Sequence, residues 1–143
     1  MIIGYTTGVF DLFHIGHVNL LMNAKSMCDR LIVGVSVDKL AEKKPRNTVI
    51  PFEERIQVVR ACKYVDVAIP QIAQNKFEVW QKLKYNVLFV GDDWYKTESW
   101  QDIEKKLAKN EVKIIYFPYT HGTSSTIINN TIDQLRINFS KKN

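Results

Sequence analysis

Short apolar runs alternate with amphipathic stretches along the whole 143-residue chain. The clearest apolar run is Leu31–Val37 (LIVGVSV), and its continuous character is typical of a strand buried on both faces of a sheet. The pattern predicts strands at Ile2–Thr6, Leu31–Val37, Val65–Ile69 (stopped by Pro70), Val87–Val90 and Val112–Phe117. It predicts helices at Val18–Met27, Phe52–Cys62, Phe77–Leu83, Trp100–Ala108 and Ser125–Phe139.

This alternation predicts an α/β fold: a Rossmann-like, doubly wound parallel sheet in a single domain over residues 1–143. Sheets of this kind bind ligands beyond the carboxyl ends of their strands. The chemically distinctive segments of the chain follow predicted strands, and they are Gly8–His17, Gly91–Trp94 and Pro118–Thr126. One composite site is therefore predicted. The longest polar segment, Asp38–Thr48, is predicted to be a mobile loop.

Composition narrows the class of protein. Apolar residues make up 45% of the chain, enough for a hydrophobic core, and the net charge is +5. A basic surface favours anionic partners such as nucleotides, phosphate esters or nucleic acid, but simple solubility explains it equally well. Cys28 and Cys62 have neither metal-binding nor redox spacing, so a reducing compartment is expected. With no signal-peptide pattern and no apolar stretch near ~20 residues, we expect a soluble, cytoplasmic protein.

Two of the three histidines, His14 and His17, follow the first predicted strand. A helix that starts here offers free backbone N–H groups and a partial positive charge, which suit a phosphate, and Gly16 lets the phosphate approach the backbone. Both imidazoles can face one pocket and donate to phosphoryl oxygens. Two alternatives stay open. In the first, the pair only holds the turn as buried, hydrogen-bonded histidines. In the second, His14, His17, His121 and Asp11 bind a metal, although no cysteine or carboxylate cluster completes that set.

Two further segments carry candidate chemistry. In Gly91–Trp94, the acidic residues at a strand end can bind ribose hydroxyls, a base or Mg²⁺, or can merely form a turn. The segment Tyr119–Thr126 is a hydroxyl-rich loop that opens a helix. Its Ser124 can cap that helix while the free N–H groups bind phosphate, or it can act as a cap alone.

The segment Gly8–His17 (GVFDLFHIGH) resembles the signature of the cytidylyltransferase-like family, in which HxGH opens the first helix. The similarity covers nearly the whole chain and is strongest to the bacterial glycerol-3-phosphate cytidylyltransferases, whose GDDW resembles Gly91–Trp94. The loop Tyr119–Thr126 resembles the family motif RTxGISTT. It departs from that motif by Tyr119 in place of arginine, Thr123 in place of isoleucine and Ser125 in place of threonine.

The resemblance implies that an acceptor phosphate attacks the α-phosphorus of a nucleoside triphosphate directly and releases pyrophosphate. It implies the catalytic residues His14, His17, Lys44 and Arg55. The implied nucleotide-binding residues are Gly8, Val9, Phe10, Asp11, His14, Gly16, His17, Asp92, Asp93, Tyr119, Thr120, Gly122, Thr123, Ser124, Ser125 and Thr126. The implied acceptor-binding residues are Lys44, Lys63 and Lys76.

The resemblance further implies CTP as nucleotide, glycerol 3-phosphate as acceptor, Mg²⁺ with the triphosphate, and a homodimer. The product would be CDP-glycerol, a precursor of wall or capsular polymers. One alternative is an adenylyltransferase or cytidylyltransferase acting on another phosphorylated sugar or amino alcohol. Because tyrosine stands in place of the family arginine at position 119, a non-catalytic nucleotide-binding module stays open as an alternative function. The basic pI suggests RNA binding, but no basic patch interleaved with aromatic residues is visible, so neither a nucleic-acid nor a membrane partner is expected.

Overall fold

The computed structural model describes residues 1–41, 48–72, 75–91, 98–118, 128 and 130–136. Within them, five parallel strands form one sheet in the order β3-β2-β1-β4-β5. The strands are β1 Ile3–Gly8, β2 Arg30–Ser36, β3 Val67–Gln71, β4 Val87–Gly91 and β5 Lys113–Phe117. The helices are α1 Ile15–Ser26, α2 Asp38–Ala41, α3 Phe52–Ala61, α4 Lys76–Leu83 and α5 Glu98–Lys109, and residues 130–136 are also helical. The predicted Rossmann-like α/β fold is confirmed.

Each face of the sheet has its own core. Successive strand residues point to opposite faces, so in β2 Leu31 and Val33 pack with α1 and α3, while Ile32 packs with the other core. That second core holds the buried side chains of Tyr5 and Leu107 and is covered by α4 and α5. The chain forms β1, β2 and β3 in turn towards one end of the sheet, with α1 and α3 on one face. It then crosses to the other side of β1 and forms β4 and β5, with α4 and α5 on the opposite face.

The structure corrects several predicted boundaries. Pro70 lies inside β3 and does not stop it, because β3 is at an end of the sheet and proline is tolerated in an edge strand. Helix α1 begins at Ile15, earlier than predicted, because His14 caps it. The first part of the predicted mobile loop is the short helix α2. Of the predicted last helix, the structure describes only residues 128 and 130–136.

Candidate active site

The sheet brings three strand ends together. Strand β1 pairs with β4, and β4 pairs with β5, all in parallel, so their carboxyl ends lie side by side at one edge. In the sequence, the three predicted site segments follow these strand ends. Several predicted site residues lie outside the described ranges: Lys44, Asp92, Asp93, Tyr119, Thr120, His121, Gly122, Thr123, Ser124, Ser125 and Thr126. Before those that follow β4 and β5, the described residues end at Gly91 and Pro118.

His14 and His17 form a reciprocal cap at the start of α1. The Gly16 N–H donates to His14 Nδ1 at 3.0 Å, and the His14 N–H donates to His17 Nδ1 at 3.1 Å. The two ring centroids are 4.0 Å apart, and the His17 ring stacks on Phe13 at 5.3 Å. Each imidazole is therefore fixed through its Nδ1 atom, as in a capping box built from imidazoles.

This capping decides the tautomer of both rings. A ring nitrogen that accepts a backbone N–H bond carries no proton, so each neutral ring holds its proton on Nε2. Burial lowers the pKa of His14, which favours the neutral ring near neutral pH. The predicted structural role and the predicted donor role are thus compatible, because Nδ1 holds the turn and Nε2–H can donate to an anionic oxygen.

Most of the residues around this cap make hydrogen bonds or packing contacts with other residues of the chain. The Gly16 N–H, at the helix start where a phosphate is predicted to bind, donates to His14. Gly8 is required by packing, since a Cβ there would lie 2.9 Å from the ring of Phe10. Phe10 is buried in the core beside α1 and has a φ of 56°. The Val9 carbonyl accepts from Arg55 at 2.7 Å. The nucleotide-binding roles of these residues stay predictions.

Asp11 ties the loop after β1 to the segment that enters α3. Its buried carboxylate accepts the N–H groups of Val49 at 2.9 Å and Ile50 at 3.0 Å. Both carboxylate oxygens thus hold the backbone of the segment before α3. Among the residues that the structure describes, no group of three His, Cys, Asp or Glu side chains is placed to hold a metal ion, and His121 of the alternative metal set is outside them.

Arg55 lies beneath the site, with its side chain fully buried. The guanidinium donates to the carbonyls of Val9, Ser36 and Ile50 at 2.7, 2.8 and 2.8 Å, and to the Asp38 carboxylate at 2.6 Å. These bonds join the ends of β1 and β2 to the segment before α3. Most of its donors are therefore used inside the chain and give Arg55 a positioning role, and its predicted catalytic role stays a prediction.

Asp38 was missed by sequence reasoning. Besides the Arg55 guanidinium, it accepts the Thr48 hydroxyl and the Phe52 N–H, both at 3.3 Å. The hydrogen bond from Arg55 lowers the pKa of its carboxyl group, and the Phe52 N–H and the Thr48 hydroxyl lower it further. The signal in the sequence was an aspartate just after a buried strand, but nothing local shows that its partner is an arginine in the next long helix.

Lys63 is not brought to this site within one chain. It is exposed in the connection between α3 and β3, with its ammonium 5.2 Å from the Tyr64 ring centroid. That connection enters β3 at its amino end, and Asp66 fixes it there by accepting the Leu31 N–H at 2.7 Å. His14 and His17 follow the carboxyl end of β1, at the opposite edge of the sheet. The predicted acceptor-binding role of Lys63 is therefore not supported within a single chain.

Lys76 is at the carboxyl edge, as its predicted role requires. It opens α4 just after β3, it is 2% exposed, and its carbonyl accepts the Tyr85 hydroxyl at 2.7 Å. Burial lowers its pKa from 10.5 to about 8. Its acceptor-binding role stays a prediction.

This pKa gives a testable pH dependence. Between pH 8 and 10.5 the unfolded chain keeps the Lys76 proton that the folded chain has lost, so the free energy of unfolding should rise with pH across this interval. Lys76→Met should remove up to about 1.4 kcal/mol per pH unit of that rise in urea titrations. Lys82→Met, at an exposed position of the same helix, should leave it intact. Equal profiles for the two variants would contradict the prediction.

The fold and the cap together define a Rossmann-like α/β protein with paired imidazoles at the start of its first helix. A crystal structure of a lipopolysaccharide core biosynthesis protein from Thermoplasma volcanium has the same fold. It superposes with a TM-score of 0.70 at 24% identity and covers 86% of this chain and 99% of that one. Within the part of the chain that the structure describes, no helix combines the length and apolar character that crossing a membrane requires.

Sequence comparison identifies the family. The family described as Cytidylyltransferase-like matches residues 5–134. A glycerol-3-phosphate cytidylyltransferase of Staphylococcus aureus is 33% identical over 125 residues, 86% of this chain and 89% of the relative. An FAD synthase of Archaeoglobus fulgidus is 39% identical over 108 residues, 74% of this chain and 78% of the relative. The chain belongs to the cytidylyltransferase-like family of nucleotidyltransferases.

Proposed function

We propose that this protein transfers CMP from CTP to a phosphorylated alcohol, with glycerol 3-phosphate as acceptor, and forms CDP-glycerol and pyrophosphate. The choice of substrates is supported by the Staphylococcus aureus relative and by the resemblance of Gly91–Trp94 to the GDDW of that branch. The proposal includes Mg²⁺ carried by the triphosphate, a cytoplasmic location, and a role in making wall or capsular precursors.

In the proposed mechanism, the paired imidazoles stabilise the transition state. An oxygen of the acceptor phosphate attacks the α-phosphorus of CTP, and the bond to the leaving pyrophosphate breaks. Negative charge develops on the non-bridging and leaving oxygens, where the Nε2–H groups of His14 and His17 donate. The donors are already oriented through their Nδ1 atoms, so little reorganisation is needed. The attacking phosphate is already ionised, so no general base is required.

Other residues have supporting roles in the proposal. Lys44 and Lys76 orient the acceptor phosphate. Arg55 holds the ends of β1 and β2 in register with the segment that enters α3. The loop Tyr119–Thr126 binds the triphosphate, and Asp93 binds the nucleotide. Because the family arginine is tyrosine at position 119, triphosphate binding relies more heavily on the remaining donors.

A substrate panel tests the proposal. CTP, ATP, UTP and GTP, each with Mg²⁺, are crossed with glycerol 3-phosphate, phosphocholine, a sugar phosphate and flavin mononucleotide, and released pyrophosphate is measured. We expect release with CTP and glycerol 3-phosphate. Nucleotide binding without release in any combination would leave a non-catalytic nucleotide-binding module. RNA retardation at moderate salt, measured alongside, would favour the nucleic-acid alternative.

The Archaeoglobus fulgidus relative supports a second candidate, because its 39% identity exceeds that of the Staphylococcus aureus relative. In that case the phosphate of flavin mononucleotide attacks ATP at the same site, and FAD forms with release of pyrophosphate. Release with ATP and flavin mononucleotide, but not with CTP and glycerol 3-phosphate, would replace the first candidate by the second.

The homodimer is also part of the proposal. Light scattering of purified protein should give one species at twice the 16.6 kDa mass of a single chain. A single-chain mass across the working concentration range would remove the dimer and leave the proposed chemistry to one chain.

A further inference from the structure

The face of the sheet that carries α4 and α5 is incompletely covered at β3. Ile69 on this face is only half-buried, whereas Ala68, which points to the other face, is buried. A groove of about 490 Å³ remains between β3 and α4. Its apolar lining includes Ile69, Pro70, Ile72, Val79 and Leu83. The proposed chemistry does not use this groove.

The groove continues to the surface as an apolar patch. Ile72 follows β3 directly, and it is 78% exposed. Val79 and Leu83 of α4 are half-buried and line the same groove. These side chains form one contiguous apolar surface with polar residues at its rim, and such a surface is typical of an interaction site.

The rim of the groove carries two opposite charges. Glu78 and Lys82 are exposed on α4, one helical turn apart. Neither forms an ion pair among the residues that the structure describes. By contrast, Asp102 and Lys106, which have the same spacing on α5, pair at 3.3 Å. Both rim charges are therefore available to a partner.

Two side-chain amides also line the groove. The buried Gln71 is held by the chain, because its side-chain oxygen accepts the Ser36 hydroxyl at 3.0 Å. Gln81 is exposed next to Lys82, and its amide can both donate and accept hydrogen bonds. The groove thus offers a partner an apolar floor, an amide and one charge of each sign.

We propose that this groove is the contact surface between two copies of the chain, related by a two-fold axis that places their α4 helices antiparallel. An interface of this symmetry uses the same surface of both copies, so that surface must be self-complementary. The rim meets this requirement, because antiparallel α4 helices place Glu78 of each copy opposite Lys82 of the other. The inference rests on the homodimer of the proposed function and assigns a surface to it.

Strand pairing at the free edge of β3 is the other way for two copies to meet on this side of the sheet. Pro70 lies within β3 and has no N–H group, and a proline in an edge strand has its missing donor on the free side. A continuous ladder along this edge would therefore lack a hydrogen bond in its middle. The groove on the face of the sheet is thus the more favourable contact surface.

Charge reversal tests the reciprocal pairing. In sedimentation velocity at low ionic strength, Glu78→Lys and Lys82→Glu should each raise the dimer dissociation constant by about tenfold or more, because each places like charges opposite one another at two symmetric positions. An equimolar mixture of the two variants should recover the dimer, because both pairs are attractive in the mixed dimer. Asp102→Lys, a charge reversal outside the groove, should leave the dissociation constant unchanged.

Ile72→Glu tests the apolar part of the surface. It should also raise the dissociation constant by about tenfold or more, because it places a charge in the apolar contact. The variant should keep the fold, since position 72 is exposed, and its thermal unfolding measured by circular dichroism checks this. Recovery of the dimer in the mixture of charge variants likewise excludes a folding defect as the cause of their weaker association.

Several results would overturn the assignment. A wild-type dimer that neither charge reversal weakens would place the interface elsewhere and leave the homodimer intact. Weaker association of both variants without recovery in their mixture would show that the pairing is not reciprocal. A single-chain mass at all concentrations would remove both the homodimer and this surface but not the proposed chemistry, which pyrophosphate release measures separately. If the amide signals of Val79 and Leu83 in that single chain shifted with added 2-naphthol, the groove would be assigned to a small apolar molecule.

Discussion

Replacing His14 by alanine should lower kcat by about 100- to 1000-fold, the usual effect of losing one oriented donor to a developing negative charge. The same change removes the acceptor of the Gly16 N–H, so the helix should also lose about 1 kcal/mol of capping stability. Pyrophosphate release with the active substrate pair measures the first effect, and urea unfolding measures the second.

His14→Asn separates the two effects. Asparagine is a favourable N-cap residue, and its side-chain oxygen can accept the Gly16 N–H, but its shorter side chain places no donor where the Nε2–H group lies. We therefore expect near-normal stability with kcat still lowered by at least about 100-fold. Near-normal turnover in both variants would show that the imidazole serves only to cap the helix.

Arg55→Met should give the largest loss of stability, about 3–5 kcal/mol, because it leaves several buried acceptors without a donor. Solvent screens the ion pair with Asp38, whose side chain is 45% exposed, so most of the loss should come from the carbonyl acceptors. Urea unfolding followed by circular dichroism measures the change.

Arg60→Met is the matched control, since Arg60 is an exposed arginine of the same helix with one long bond, 3.4 Å, to the Ala68 carbonyl. It should cost no more than about 0.5 kcal/mol. Arg55→Lys should recover only part of the lost stability, because one ammonium cannot reach acceptors on three different segments. Similar losses for Arg55→Met and Arg60→Met would remove the positioning role.

Local pattern was a good guide to the elements of this fold. The five predicted apolar runs correspond to the five strands, because a run of apolar residues is typical of a strand buried on both faces of a sheet. The prediction at Pro70 was wrong because proline's effect depends on whether its strand is central or at an edge, and strand order is not a local property.

The residues of the site also divide into those that local spacing predicts and those that it does not. The His-x-Gly-His spacing was enough to predict two imidazoles at a helix start, since residues three apart in a first turn lie on one side of it. The surroundings of Arg55 and Lys63 could not be predicted, because a basic residue looks the same in sequence whether it binds a ligand, joins buried carbonyls or lies at the far edge of the sheet.

The sequence by itself determined the succession of strands and helices along the chain and the histidine pair at the start of α1, because these follow from residue type and short spacing. The tertiary structure alone decided which nitrogen of each imidazole carries the proton, that Arg55 holds Asp38 and three carbonyls, and that the Tyr5 ring lies over Gly34. These features depend on residues far apart in the chain or on the direction of single N–H groups. Such contacts exist only once the sheet has brought its strands together.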